Sequence, residues 1–104
     1  MSLTINTPLT TRDGGSVAAG AFVQFETNFP ADELKYNVSL TMWRDQAAKD
    51  ANLANIRPVE ISQLYFETEL TAPDFAALTL SAVNTSVKNY LETFVGADNV
   101  SINA

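Results

Sequence analysis

The residues able to do chemistry in this chain are carboxylates, hydroxyls and a few cations, because it contains neither cysteine nor histidine. Without cysteine there is no disulfide framework, thiolate nucleophile or iron–sulfur ligand set. Without histidine there is no imidazole base, which removes Ser-His-Asp and Cys-His catalysis and the usual zinc enzymes. Glu67 and Glu69 stand two apart with Tyr65 beside them. On a strand they share a face, where paired carboxylates can hold a hard cation or work as acid and base. With no Asp-rich loop nearby, they read as a solvated acidic face. The run Arg12-Asp13-Gly14-Gly15 superficially suggests a phosphate cradle. It lacks the spacing and the Lys-Ser/Thr of a P-loop, so it reads as a turn. Asp45, Lys49 and Asp50 can pair at helical spacing, an effect of a few tenths of a kcal/mol that bears on solubility alone. No set of nucleophile, base and orienting group assembles from these parts. The chain is therefore expected to be a non-enzyme that uses no cofactor and no metal.

The 104 residues fit one domain, 1–104, and 46% of them are aliphatic or aromatic, enough for one modest core. Twelve acidic residues against six basic ones leave a formal charge of −6. That balance argues against nucleic-acid binding, which rests mainly on Lys and Arg. No apolar run reaches the 18 or so residues needed to span a bilayer, so no membrane contact is expected. The first residues have no basic start and no apolar stretch of signal-peptide length, which implies synthesis and folding in a cytosol.

The positioning elements follow from periodicity. Leu3, Ile5, Thr7 and Leu9 alternate as one strand, and Pro8, which lacks a ladder donor, pushes that strand to a sheet edge. Asp13-Gly14-Gly15 turns the chain. Residues 22–29 form a strand with Val23, Phe25 and Phe29 on one face; Phe22, out of phase, implies a bulge or an aromatic on the second face. Lys35 to Trp43 alternates most clearly, with Tyr36, Val38, Leu40 and Met42 towards a core. Residues 44–55 break the pattern and form a short surface helix or a long loop, closed by Arg57-Pro58. Residues 59–70 return as a strand whose phase switch implies a bulge near Ser62-Gln63, or as two short strands. Thr71-Ala72-Pro73-Asp74 starts a short helical turn over 72–78. After a reset at Thr79, a main helix runs over 80–95. Its apolar face carries Leu80, Val83, Val87, Tyr90, Leu91 and Phe94, and Gly96 ends it. Residues 99–103 close the chain as a last strand. The expected fold is α+β, an antiparallel β-sheet of four to six strands packed on one C-terminal amphipathic helix, with a protruding loop or short helix at 44–57.

Several strands carry a neutral polar second face, which suits modest interfaces repeated many times in a symmetric assembly. Trp43 falls on that face, either as a strand-end indole folded over the sheet edge or as an interface anchor. The candidate interface is Trp43, Arg44, Asp45, Lys49, Asp50, Leu53 and Arg57. The order of segments carries a resemblance. Leu-Thr-Ile-Asn-Thr-Pro leads to Thr-Thr-Arg-Asp-Gly-Gly, then Phe-Val-Gln-Phe-Glu-Thr-Asn-Phe-Pro and Tyr-Asn-Val-Ser-Leu-Thr-Met-Trp-Arg. Ile-Arg-Pro-Val-Glu-Ile and Val-Lys-Asn-Tyr-Leu-Glu-Thr-Phe-Val-Gly follow. Over most of its length the chain resembles small virion structural proteins of tailed phages that infect Bacteroidetes. The resemblance implies an architectural role in the head–tail neck, the tail or the capsid, in a virion whose parts are made in the host cytoplasm. It also implies partners that are further copies of the chain and neighbouring virion proteins, and no catalytic residue. The rival expectation is a small acidic binding or inhibitor module that captures a host protein.

Overall fold

The computed structural model describes residues 2–103, and its chain order is β1 (Ser2–Ile5), β2 (Leu9–Thr10), β3 (Ser16–Val17), β4 (Ala21–Asn28), β5 (Lys35–Trp43), α1 (Gln46–Asp50), β6 (Tyr65–Glu69), α2 (Ala72–Ala76), α3 (Leu80–Val95) and β7 (Val100–Asn103). Five strands form an antiparallel sheet in the order β6-β5-β4-β1-β7, and β2 pairs with β3 in a separate ribbon. The α+β architecture is the expected one. Leu3, Val23 and Met42 lie in register across β1, β4 and β5, and so do Phe25 and Leu40. With Ile5, Tyr36 and Val38 they form the inner face, which packs against Val83, Val87 and Leu91 of α3. That i, i+4, i+8 stripe presents one face of the helix to the sheet.

The edge-to-edge path of the chain explains the long helix. β6 and β7 point the same way at opposite edges, so the connection must return across the whole sheet. Five strands about 4.8 Å apart are roughly 19 Å wide. The 16 residues of α3 make a rod about 24 Å long, enough to cross on a diagonal. Thr79 starts this helix by accepting a hydrogen bond from the Ala82 N–H at 3.2 Å. Gly96 stops it at φ 95 and ψ 153, a conformation that only glycine adopts without strain. Its N–H still donates to the Glu92 carbonyl at 2.9 Å.

Several expectations are corrected. The first strand ends at Ile5 and lies inside the sheet, between β4 and β7, rather than at an edge. Pro8 sits beyond it, in the link to β2, where a missing donor costs the ladder nothing. Phe29 lies past the end of β4, 51% exposed, with its ring edge-on to Phe75 of α2. For Phe22 the second of the two expected options holds: without a bulge, it lies in register opposite Trp43 as an aromatic on the second face. Residues 59–70 are not one strand or two. Only Tyr65–Glu69 pairs in the sheet, and the preceding stretch is irregular because other partners hold it. Val59 donates to the Thr10 carbonyl at 2.7 Å, and the Tyr90 hydroxyl donates to the Gln63 carbonyl at 2.6 Å. Leu80 begins the helix but is 64% exposed, since the first turn stands off the sheet. Tyr90 and Phe94 do pack against the core, and Phe66 stacks on Tyr90 at 4.3 Å between ring centroids.

Gly96→Ala is expected to cost about 1–3 kcal/mol, because any Cβ meets both the strained φ/ψ region and the Asn99 amide at 3.2 Å. Urea unfolding followed by circular dichroism would show a lower midpoint with an unchanged slope.

Candidate functional site

The segment 44–57 takes the helical option. β5 ends at Trp43, and Asp45 caps α1 by accepting from the Ala48 N–H at 2.7 Å. The helix lasts five residues, lies against β4 and β5 and buries Ala48. Asn52 takes a positive φ of 56, the Leu53 N–H donates to the Ala48 carbonyl, and the chain returns so that Ile56 bridges Met42. Leu53 is left 60% exposed.

The other wall comes from the β2–β3 turn. Gly14 has a φ of 90, and its N–H donates to the Thr11 carbonyl at 3.0 Å. Asp13 accepts from the Thr11 hydroxyl and from the Gly15 N–H, and those two bonds hold its carboxyl below the usual carboxylate value. A short ladder joins this turn to residues 57–60. The Arg12 N–H donates to the Arg57 carbonyl at 3.3 Å, and Thr11 bridges Pro58. Glu60 seals it by accepting the Thr10 N–H at 2.7 and 3.0 Å through its two oxygens, which depresses its carboxyl as well.

Between these walls lies a cleft of about 440 Å³, lined by Arg12, Asp13, Arg44, Ala48, Leu53 and Arg57 among others. All three arginines of the chain thus meet in one place, in a protein of charge −6. Among the described residues no carboxylate lies within 4.0 Å of any of their guanidinium groups. Arg12 donates to the Ser62 carbonyl and Arg44 to the Ser16 carbonyl, each at a long 3.4 Å. Of the local acids, Asp13 lines the cleft and feels the charge of Arg44 but is hydrogen-bonded within its turn, while Asp45 is engaged at the helix cap and Glu60 on β2. A guanidinium cluster left in this state can pair with carboxylates or other oxyanions through bidentate hydrogen bonds.

Of the sequence candidates, Arg44, Leu53 and Arg57 converge here. Asp45 serves as the cap, and Lys49 and Asp50 lie on α1, forming no ion pair within 4.0 Å among the described residues. Trp43 sits on the outer face of the sheet, half-buried, its ring 6.4 Å from Phe22. The expected Glu67–Glu69 face exists, with Tyr65 donating to Glu67 at 2.9 Å, but Lys35 stands 3.6 Å from Glu67 and 3.3 Å from Glu33. The sequence reading missed Arg12, which it treated only as part of a turn. A usable signal was present: each arginine borders a turn or strand end, before Asp13-Gly14-Gly15, after Trp43 and before Pro58. Among the described residues no group of three or more acidic side chains converges as a metal site, and no helix is long and apolar enough to cross a membrane. No protein-family model, curated protein or solved structure matches the chain.

Glu60→Gln keeps an acceptor for Thr10 but removes the charge. A carboxyl depressed by folding stabilises the folded state fully above its ordinary value of 4.5, and that contribution fades as pH falls through its folded value. Urea midpoints should therefore lie below wild type near neutral pH and converge with it in acid.

Proposed function

We propose that this chain is a non-enzymatic structural subunit of a tailed-phage virion, a head–tail neck, tail or capsid component that acts through repeated protein–protein contacts. Its partners on this reading are its own copies and neighbouring virion proteins, in a particle whose parts are made in the host cytoplasm. The observation that supports the reading is the cleft at the end of β5, where Arg12, Arg44 and Arg57, none in an ion pair among the described residues, flank an exposed Leu53. Arginine beside an exposed aliphatic side chain is a composition suited to protein contact. The outer face of the sheet supports the same reading. Near the cleft Ser39, Thr41 and Gln24 make it neutral and polar, with the charges of Lys35, Glu67 and Glu69 towards the other end of β5, and Trp43 and Phe22 form an aromatic pair at its rim.

Deletion of residues 46–54 tests this reading. It leaves Trp43, Arg44, Asp45 and Asn55 between the bridged Met42 and Ile56, a loop length that hairpins tolerate. The variant should stay folded, its circular-dichroism spectrum losing only the contribution of α1. Light scattering on a size-exclusion column should show the parent as a discrete oligomer at high concentration and the variant as a monomer. A parent that stays at 11.3 kDa at every concentration would remove the support for self-assembly and favour a module that captures another protein.

A further inference from the structure

We infer that the arginine cleft seats the acidic β4–β5 turn of a second copy of this chain, so that copies join head to tail along their long axis. The inference rests on the assembly reading above and names the two surfaces that meet. β5 separates them. Arg44 follows its last residue, whereas Asp32 and Glu33 precede its first, and nine extended residues span about 30 Å. The molecule is longest in one dimension, 43 Å against 28 and 26 Å.

The far end carries the complementary chemistry. Asp32 and Glu33 stand in the turn, and Glu69 is in register with Lys35 at its base, with Glu67 one pair further along on the same face. Asp74 follows in α2, whose Phe75 reaches Phe29 beside the turn. Lys35 is the cation nearest this group, already held between Glu33 and Glu67. Asp32 takes a positive φ of 61 within this exposed turn. Exposed apolar side chains accompany the charge at both ends. Phe29 and Leu34 are 51% and 48% exposed at the acidic end, and Leu53 and Val59 are 60% and 56% exposed at the arginine end.

Symmetry then decides the mode of contact. A two-fold pairing of cleft with cleft sets arginines against arginines, and turn against turn sets carboxylates against carboxylates. Among end-to-end contacts, only the heterologous one brings opposite signs together, and such a contact either closes into a ring or continues as a filament. An end face of 28 by 26 Å offers on the order of 600 Å², below the roughly 800 Å² per partner of a standard interface. One contact is accordingly weak, and stability comes from closure of a ring or from many contacts in parallel. Added salt weakens the association by screening its exposed ion pairs.

Two measurements test the inference on the full chain. In the first, Arg12→Glu with Arg57→Glu forms one variant and Asp32→Lys with Glu33→Lys the other. Each alone should lose self-association by roughly tenfold or more, because like charges then face each other. Mixing the two should restore it, since the reversed cleft of one meets the reversed turn of the other. In the second, the absence of native cysteine permits clean cross-linking. Leu53→Cys mixed with Glu33→Cys under mild oxidation should give the mixed disulfide dimer. Preferential dimers of Leu53→Cys with itself would overturn the head-to-tail arrangement. A chain that assembles normally despite both reversals would overturn this inference and leave the assembly reading in place. A wild-type chain that neither associates nor yields the mixed disulfide would overturn both.

Discussion

The fold depends on a single crossing. β6 and β7 occupy opposite edges of one sheet, and α3 is the only long element between them, so one helix must both carry the chain across and close the core. Val83, Val87 and Leu91 meet the inner face in the order that this crossing dictates. Because the one long helix is committed to that face, the other must be compatible with water or with a partner, and its strands carry Ser, Thr, Asn and Gln there. The same arrangement sends the connections to the two ends of the strands. The long excursion after β5 and the β2–β3 turn gather at one end, and the β4–β5 turn and α2 gather at the other.

This distribution gives the charges their arrangement. Near the cleft, three carboxylates are drawn into hydrogen bonds with backbone N–H groups, at the β2–β3 turn, the α1 cap and β2. Charge-assisted bonds of this kind stabilise the turns and also fix where the negative charge sits. Arg12 and Arg44 each spend one long hydrogen bond on a carbonyl oxygen, which leaves most of the guanidinium donors of the cluster available. At the opposite end Lys35 is shared between two glutamates, and the remaining carboxylates face solvent. A net charge of −6 therefore conceals an uneven surface.

Elements whose structure is decided locally were legible. The alternation of Lys35 to Trp43 corresponds to β5 residue for residue, and the periodicity over 80–95 with a terminal glycine corresponds to α3. Elements decided by distant partners were not. Residues 59–64 have strand-like composition, yet Thr10 and Tyr90 hold them in an irregular path that no local pattern signals. Pro8 suggested an edge because its position in the sequence says nothing about where the preceding strand will pair. Half of the candidate site was visible, since Arg44, Leu53 and Arg57 fall in one segment. Arg12 was not, because only the ladder between residues 10–12 and 57–60 brings it alongside.

The pairing of β1 with β7 bears on how this chain acquires its structure. Ser2 lies opposite Asn103, so the first and last strands are neighbours although nearly the whole chain separates them. Such contacts close the largest loop available and raise the contact order, which slows folding. On the ribosome β1 can pair with β4 early, but its other side stays unsatisfied until β7 has been synthesised and has left the exit tunnel. The sheet is thus completed only once β7 is available, and until then β1 presents an open edge to every nascent neighbour.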